Sequence, residues 1–156
     1  MVSSTISHVE VALTLKVLVV DVDGTLVLAP MISRIFRLAA SICVKIARRI
    51  EHVNTKIVST MDGYDKVIIL TGRNIAGYES TERQLRSMKV PFDSIMCCPL
   101  DELVFRWKTS VVQRLSDDSV CYIEWIDDLF EKGIPDYVLS AKRANVTLLA
   151  PSDAHT

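Results

Sequence analysis

Two aspartates, Asp21 and Asp23, directly follow an apolar run in the sequence KVLVVDVDGTL at residues 16–26. The Val- and Leu-rich run predicts a buried β-strand, and Gly24 lets the chain turn sharply where that strand ends. Ligands of open α/β sheets bind at the carboxyl ends of the strands. Two carboxylates there are costly unless a cation lies between them, and Mg²⁺ needs only one or two protein carboxylates. The spacing therefore predicts a magnesium site in which one acid attacks and the other transfers a proton; a turn that merely contains two Asp residues is the alternative.

Polar groups also end two later apolar runs, and a lysine lies in the helical pattern between them. These residues are Thr71, Gly72, Arg73, Lys108, Asp127 and Asp128. Thr71 offers a hydroxyl, Gly72 allows a ligand to approach the backbone closely, and the guanidinium of Arg73 suits phosphate oxygens. Each residue alone has an ordinary explanation, such as a turn, a solvated helix lysine or a helix N-cap. Together, four carboxylates, a lysine and a hydroxyl suit a divalent cation and a phosphoryl dianion.

Alternating strands and helices must position these groups. The predicted strands cover residues 17–20, 66–73, 92–99, 119–128 and 145–151, and the predicted helices cover residues 31–61, 76–89, 101–115 and 135–144. Short apolar strands separated by helices predict a parallel sheet that is covered on both faces. Right-handed crossovers would then bring the carboxyl ends of the strands to one edge. We expect an α/β, three-layer Rossmann-like fold, and in the helix at 101–115 we expect Leu103 and Trp107 to face inward.

The long helical pattern at residues 31–61 has one apolar face and one basic stripe. The stripe contains Arg34, Arg37, Ser41, Lys45, Arg48 and His52. A solvated helix face is the favoured interpretation, and an electropositive track for a phosphorylated polymer is the alternative. No aromatic residues interleave with the basic ones, as single-strand binding would require.

The composition is that of one globular domain, which we expect to span residues 1–156 with a lead-in at 1–14 and a polar tail at 152–156. The chain has 156 residues, of which 49% are hydrophobic, and a net charge of −1. So small a charge excludes a global attraction to nucleic acid or membrane. No secretory signal or membrane-length apolar run is evident. We therefore expect no membrane partner.

The four cysteines, at positions 43, 97, 98 and 121, show no CxxC spacing. Each lies in an apolar run and is expected to pack as a small buried hydrophobe. A redox pair of Cys97 and Cys98 is disfavoured, because adjacent side chains of a strand point to opposite faces. This pattern predicts a protein of the reducing cytoplasm.

The motifs DVDGT, LTGR, Lys108 and the Asp127–Asp128 pair, in this order, resemble the four motifs of the haloacid dehalogenase (HAD) superfamily, over roughly residues 15–150. Members of that superfamily are mostly Mg²⁺-dependent phosphatases. The resemblance implies that Asp21 is the nucleophile that forms an aspartyl-phosphate, and that Asp23 is the general acid and base.

The same resemblance assigns roles to the remaining motif residues. Thr71 would hold the transferring phosphoryl group, and Lys108 would offset its charge. Asp127 would bind Mg²⁺ with Asp21 and the backbone carbonyl of Asp23, and Asp128 would be a second ligand or its support. Thr71, Gly72, Arg73 and Lys108 would together bind the substrate.

LTGR followed by T-x-x-Q-L and VPFDSIMCCP is similar to the phosphatase domain of polynucleotide kinase-phosphatases, although no kinase P-loop is present. The chain lacks room for a large cap domain, so we expect an open site that suits a large substrate or closure by another subunit. Nucleotide or nucleic-acid phosphate ends are the favoured substrates. Phosphosugars, transfer to an acceptor other than water, a non-catalytic binding module and self-association are left open by the sequence.

Overall fold

Five parallel strands form the central sheet of the computed structural model, which describes residues 14–28, 51–117 and 121–154. The strands of the chain are β1 (Leu15–Val20), β2 (Val27–Leu28), β3 (His52–Val53), β4 (Lys66–Asn74), β5 (Ser94–Cys98), β6 (Cys121–Ile126) and β7 (Val146–Leu149). The helices are α1 (Thr55–Thr60), α2 (Tyr78–Ser87), α3 (Val104–Ser116) and α4 (Asp136–Ala141). Short 3₁₀ helices cover Met61–Gly63, Ile75–Gly77 and Asp128–Lys132.

The sheet is buried on both faces because each central strand is apolar at nearly every position. On one face, Val17 and Val19 pack with Trp107 of α3 and Val138 of α4. On the other face, residues of β1, β4 and β5 pack with α1 and α2, through side chains that include Leu18, Ile57 and Leu85. Helices thus cover both faces, which confirms the predicted three-layer α/β fold. The described residues contain no large inserted cap.

The strand order β5-β4-β1-β6-β7 places β1 between β4 and β6. The chain builds outward from β1 to β4 and β5, and then returns to the other side of β1 for β6 and β7. The direction of winding therefore reverses between β1 and β6, which is where ligands bind in such sheets. The pairing of Val20 with Ile126 brings Asp21 next to Asp127. The backbone N–H of Asp21 donates to the carbonyl of Ile126 at 3.0 Å.

The predicted helix at residues 31–61 is confirmed at residues 55–60 and wrong at residues 52 and 53. Residues 52 and 53 form β3, which pairs antiparallel with β2, and a helix begins only at Thr55. Apolar residues at helical spacing predicted one continuous helix, but backbone hydrogen bonds to the chain that follows the Asp21–Asp23 loop hold this segment extended. The part of the predicted helix at residues 31–50, with the basic residues from Arg34 to Arg48, lies outside the described residues, as do most of the lead-in and Cys43.

The other predicted elements form with shifted ends. The helix expected from residue 101 begins at Val104, and Leu103, expected to face inward, is 67% exposed because it precedes the helix. Cys97 and Cys98 lie in the clusters on opposite faces of the sheet, as predicted. The extent of one domain over residues 1–156 stays a prediction. Among the described helices, none has the length and apolar character needed to span a bilayer.

Leu18 tests the contribution of the central strand to stability. Its side chain is fully buried, whereas Leu15 on the same strand is 40% exposed. Leu18→Ala should lower the free energy of unfolding by about 2–5 kcal/mol, since it removes apolar contacts and leaves a cavity. Leu15→Ala, the matched control, should cost about 0.5 kcal/mol or less. Urea unfolding measures both, and equal losses would contradict the assignment of Leu18 to the core.

Candidate active site

Lys108 joins two buried carboxylates at the edge between β1 and β6. Its Nζ donates to Asp21 Oδ1 and to Asp127 Oδ2, each at 2.7 Å. The three side chains are 3%, 6% and 0% exposed, respectively. Helix α3 brings the lysine here because Trp107, the neighbouring residue, packs into the core beneath the sheet edge. An ion pair this far from water is costly to form and strongly destabilised by the loss of one partner.

The charges of this triad do not balance, because one lysine faces two acids. Burial raises the pKa of Asp21 to about 7; Lys108 opposes the shift, and Asp127 adds to it. For Lys108, burial lowers the pKa, but the attraction of Asp21 and Asp127 outweighs it and the net shift is upward. The lysine thus stays charged, and further positive charge would favour the ionised form of Asp21.

Three carboxylates at this edge of the sheet could together bind a cation. Asp21, Asp127 and Asp128 each offer an oxygen, and these oxygens lie within 4.8 Å of one another. An all-oxygen donor set suits a hard cation such as Mg²⁺. Thr25 supports the set, because its buried hydroxyl accepts a hydrogen bond from the backbone N–H of Asp128 at 2.8 Å.

Gly24 makes room for this arrangement. Its φ is +90°, a conformation that L side chains rarely adopt. A Cβ added at Gly24 would collide with the carboxylate of Asp128. The glycine of the DVDGT motif is therefore required both by the turn and by the approach of the third acid.

Asp23 lies in a different environment from Asp21. Its carboxylate accepts two hydrogen bonds from Arg73, from Nε to Oδ2 and from one Nη to Oδ1, both at 2.8 Å. The Asp23 side chain is 38% exposed, and that of Arg73 is 11% exposed. The sequence predicts that Arg73 binds phosphate. In the structure its guanidinium donates to Asp23, the predicted acid-base residue.

A bulge in β4 aims Arg73 at Asp23. The pairing with β5 shifts between Thr71 and Asn74, so Gly72 and Arg73 drop out of the ladder. Bulges commonly redirect side chains beside active sites. A Cβ at Gly72 would lie 2.7 Å from a methyl group of Val104. The close neighbour of this glycine is thus the start of α3, and its expected role towards a ligand stays a prediction.

Thr71 is fully buried at the carboxyl end of β4. Its hydroxyl accepts a hydrogen bond from the backbone N–H of Arg73 at 3.2 Å and so helps to close the bulge. The structure therefore collects Asp21, Asp127, Asp128 and Lys108 in one cluster, and Asp23 with Arg73 in an adjacent pair. Phosphoryl binding by Thr71 stays a prediction.

Sequence reasoning missed three residues around these groups. Thr25 was not given a role, although it is part of DVDGT. Gln84 belongs to the T-x-x-Q sequence, whose first and last residues share one helix face, and it accepts from Arg73 at 2.6 Å. Glu51 accepts from Gln84 at 2.6 Å. No local signal marked Glu51, because its neighbours here come from other parts of the chain.

The geometry provides a buried carboxylate beside a lysine, a set of oxygen ligands for a cation, and a second acid at the more exposed rim. This arrangement can hold a phosphoryl group against a nucleophile and can exchange a proton with the oxygen that leaves.

No protein-family model and no curated protein matches the sequence. Among solved structures, a chain in the structure of a Pnkp1/Rnl/Hen1 complex superposes with a TM-score of 0.55 at 20% identity, over 87% of this chain and 45% of that chain. A chain of the Pnkp1/Rnl/Hen1 RNA repair complex superposes with a TM-score of 0.53 at 19% identity, over 88% of this chain and 43% of that one. This chain therefore spans less than half the length of these two proteins, and the likeness shows a shared fold.

Proposed function

We propose that this chain is a Mg²⁺-dependent phosphomonoesterase of the HAD type that works through an aspartyl-phosphate at Asp21. The observation that carries the proposal is the contact of Lys108 with both Asp21 and Asp127 at 2.7 Å in a buried site. A protein that merely binds phosphate has no need for a buried carboxylate, which repels a dianion. A nucleophile, by contrast, must lie where the phosphoryl group binds.

The residues present fit a magnesium ion. Asp21, Asp127 and Asp128 would hold it together with the backbone carbonyl of Asp23, and the carboxylates are hard oxygen donors close enough to share one ion. When bound, Mg²⁺ neutralises the acids and withdraws charge from the phosphoryl oxygens. Lys108 supplies a further positive charge on the same side.

The two aspartates divide the chemistry. A carboxylate oxygen of Asp21 attacks phosphorus, the bond from phosphorus to the ester oxygen breaks, and that oxygen takes a proton from Asp23. In the second step Asp23 removes a proton from water, whose oxygen attacks the aspartyl-phosphate. Inorganic phosphate leaves, and the Asp21 carboxylate and the Asp23 proton are restored. Lys108 and Thr71 stabilise the charge of the transferring group.

Phosphate ends of nucleotides or nucleic acids are the substrate class that we propose. One of the similar structures is described as an RNA repair complex, and the described residues include no cap that would exclude a large substrate. Phosphosugars, closure of the site by a second copy, and transfer to an acceptor other than water are the alternatives. The cytoplasm stays the predicted compartment; Cys97, Cys98 and Cys121 are free thiols.

Asp21→Asn tests the nucleophile. It should reduce kcat for an aryl phosphate by at least about 1,000-fold, because an amide cannot form the covalent intermediate. Asp117→Asn is the control, since the exposed side chain of this aspartate forms a surface ion pair with Arg143. Hydrolysis is followed with Mg²⁺ and with a chelator. Turnover near that of the wild type in Asp21→Asn would refute the nucleophile assignment.

Asp127→Asn tests the metal site without relying on turnover. Mg²⁺ should raise the melting temperature of the wild-type protein, because a ligand that binds the folded state stabilises it. In the variant, the Mg²⁺ concentration that gives half of the maximal rise in melting temperature should be at least about tenfold higher, since one ligand loses its charge. Asp62→Asn is the control, because the exposed Asp62 precedes β4 and so lies near the amino ends of the strands, opposite the site. An unchanged titration in Asp127→Asn would remove this residue from the metal site.

Lys108→Met tests the charge that faces the phosphoryl group. The variant should lose about 3 kcal/mol of transition-state stabilisation, equivalent to roughly 100-fold in kcat/KM. Its melting temperature in Mg²⁺ shows whether the fold survives the loss of a buried partner. Lys16→Met is the control, since Lys16 is 44% exposed and lies 3.8 Å from Glu124. If the variant folds and loses tenfold or less, Lys108 has no major role in turnover.

A further inference from the structure

A chain of hydrogen bonds runs from Asp23 into the protein through Arg73 and Gln84 to Glu51. We infer that Gln84 and Glu51 are positioning residues, which hold the Arg73 guanidinium in the orientation that aims Asp23 at the leaving oxygen. The inference rests on the proposed function, because Asp23 is the proton donor only if the chain is a phosphomonoesterase.

The amide of Gln84 is fixed by what it touches on each side. Its Oε1 accepts from an Nη of Arg73 at 2.6 Å, and its Nε2 donates to Glu51 Oε2 at 2.6 Å. Arg73 has no acceptor and a carboxylate has no donor, so only this orientation of the amide satisfies both neighbours. Thr81 Oγ1 adds a longer contact, at 3.4 Å, to the same Nη of Arg73.

The contacts hold the guanidinium plane from two sides. Nε and one Nη face Asp23, and the other Nη faces Gln84 and Thr81. An arginine fork held at both ends has little freedom to rotate, and it fixes a bidentate carboxylate in its own plane.

Burial increases from the rim of the site inwards. The Asp23 side chain is 38% exposed and that of Arg73 is 11% exposed, whereas Glu51 is 8% exposed. Water therefore reaches the acid, but hardly reaches the groups that hold it. Each Asp23 oxygen accepts one hydrogen bond from Arg73.

The network also joins four separate parts of the chain. Asp23 follows β1, Arg73 lies on the bulge of β4, Gln84 is on α2, and Glu51 precedes β3. Errors of about 1 Å in a catalytic group can cost about 100-fold in rate, so we expect the loss of this network to lower turnover.

Gln84→Met tests the brace, because methionine keeps the volume and loses both hydrogen bonds. The readout is the dependence on the leaving group. An ethyl phosphate needs a proton from Asp23 as it leaves, whereas 4-nitrophenyl phosphate departs as a stable phenolate. With Mg²⁺ present, the variant should lose about 10- to 100-fold in kcat/KM for ethyl phosphate and about twofold or less for the nitrophenyl ester.

Gln113→Met is the matched control. Gln113 is also a partly buried helix glutamine with an amide hydrogen bond, to the carbonyl of Ala141 at 3.1 Å, but it lies on α3 away from Asp23. Its variant should change the two substrates equally. A general loss of stability would also lower kcat/KM equally for the two substrates. A loss of kcat/KM with the ethyl ester alone therefore separates positioning from a merely structural effect.

A double variant adds a rescue. Gln84→Glu places a carboxylate against Glu51 and should impair the ethyl ester selectively, because like charges repel. Adding Glu51→Gln places an amide donor at position 51 against the new carboxylate at position 84. The hydrogen bond between the two positions then forms in the opposite direction, and most of the lost kcat/KM should be recovered. No recovery in a protein that melts like the wild type would contradict the brace.

The Nε–H NMR signal of Arg73, assigned by its loss in Arg73→Lys, reports on the brace without turnover. In Gln84→Met this proton should exchange with water at least about tenfold faster than in the wild type. If the wild type hydrolyses neither ester, the proposed function fails, and the NMR comparison alone decides whether the brace exists. If the wild type is active but the ratio of the two esters and the exchange rate are unchanged in Gln84→Met, the inference is overturned.

Discussion

The burial of two carboxylates with a single lysine is the constraint on which the site depends. The side chains of Asp21 and Asp127 are almost fully buried, and Lys108 is their shared hydrogen-bond partner. Removing charges from water costs several kcal/mol per ion unless they are well paired, and here one negative charge lacks a match within the triad. Such a site is unfavourable as a purely structural device. A cation would supply the missing positive charge, and the oxygens of Asp21, Asp127 and Asp128 lie close enough together to hold one.

The topology of the sheet brings the triad together. Asp21 and Asp127 are far apart in sequence, and parallel pairing of β1 with β6 makes them neighbours. Helix α3 then delivers Lys108 from one face, with its apolar side packed on the strands. Because the helix is packed on buried strands, its backbone cannot shift away from the acids without disrupting the core. The stability of the fold and the geometry of the site therefore have the same origin.

Local signals in the sequence predict the strands, their alternation with helices and the acids at their ends. They do so because burial on both faces leaves an apolar strand with a sharp polar boundary. The same signals fail for β3, where an apolar spacing typical of a helix occurs in a segment that is held extended by pairing with β2. They also fail for Glu51 and Gln84, whose contacts join distant parts of the chain. The role of Lys108 came from the resemblance of the motifs, since a single lysine in a helix carries no signal of its own.

Asp21 and Asp23 show how two identical side chains can acquire different environments within three residues. The first is buried against an ammonium group and close to a second carboxylate, where solvent hardly reaches its oxygens. The second lies at the more exposed rim, where it accepts hydrogen bonds from the guanidinium of Arg73. That guanidinium in turn donates to Gln84. Unlike environments are the condition for dividing nucleophilic attack from proton transfer between two carboxylates. The left-handed turn at Gly24 lets Asp128 approach beside them. In this chain the difference between the two acids is therefore set less by the residue type than by the partners that the fold places around each of them.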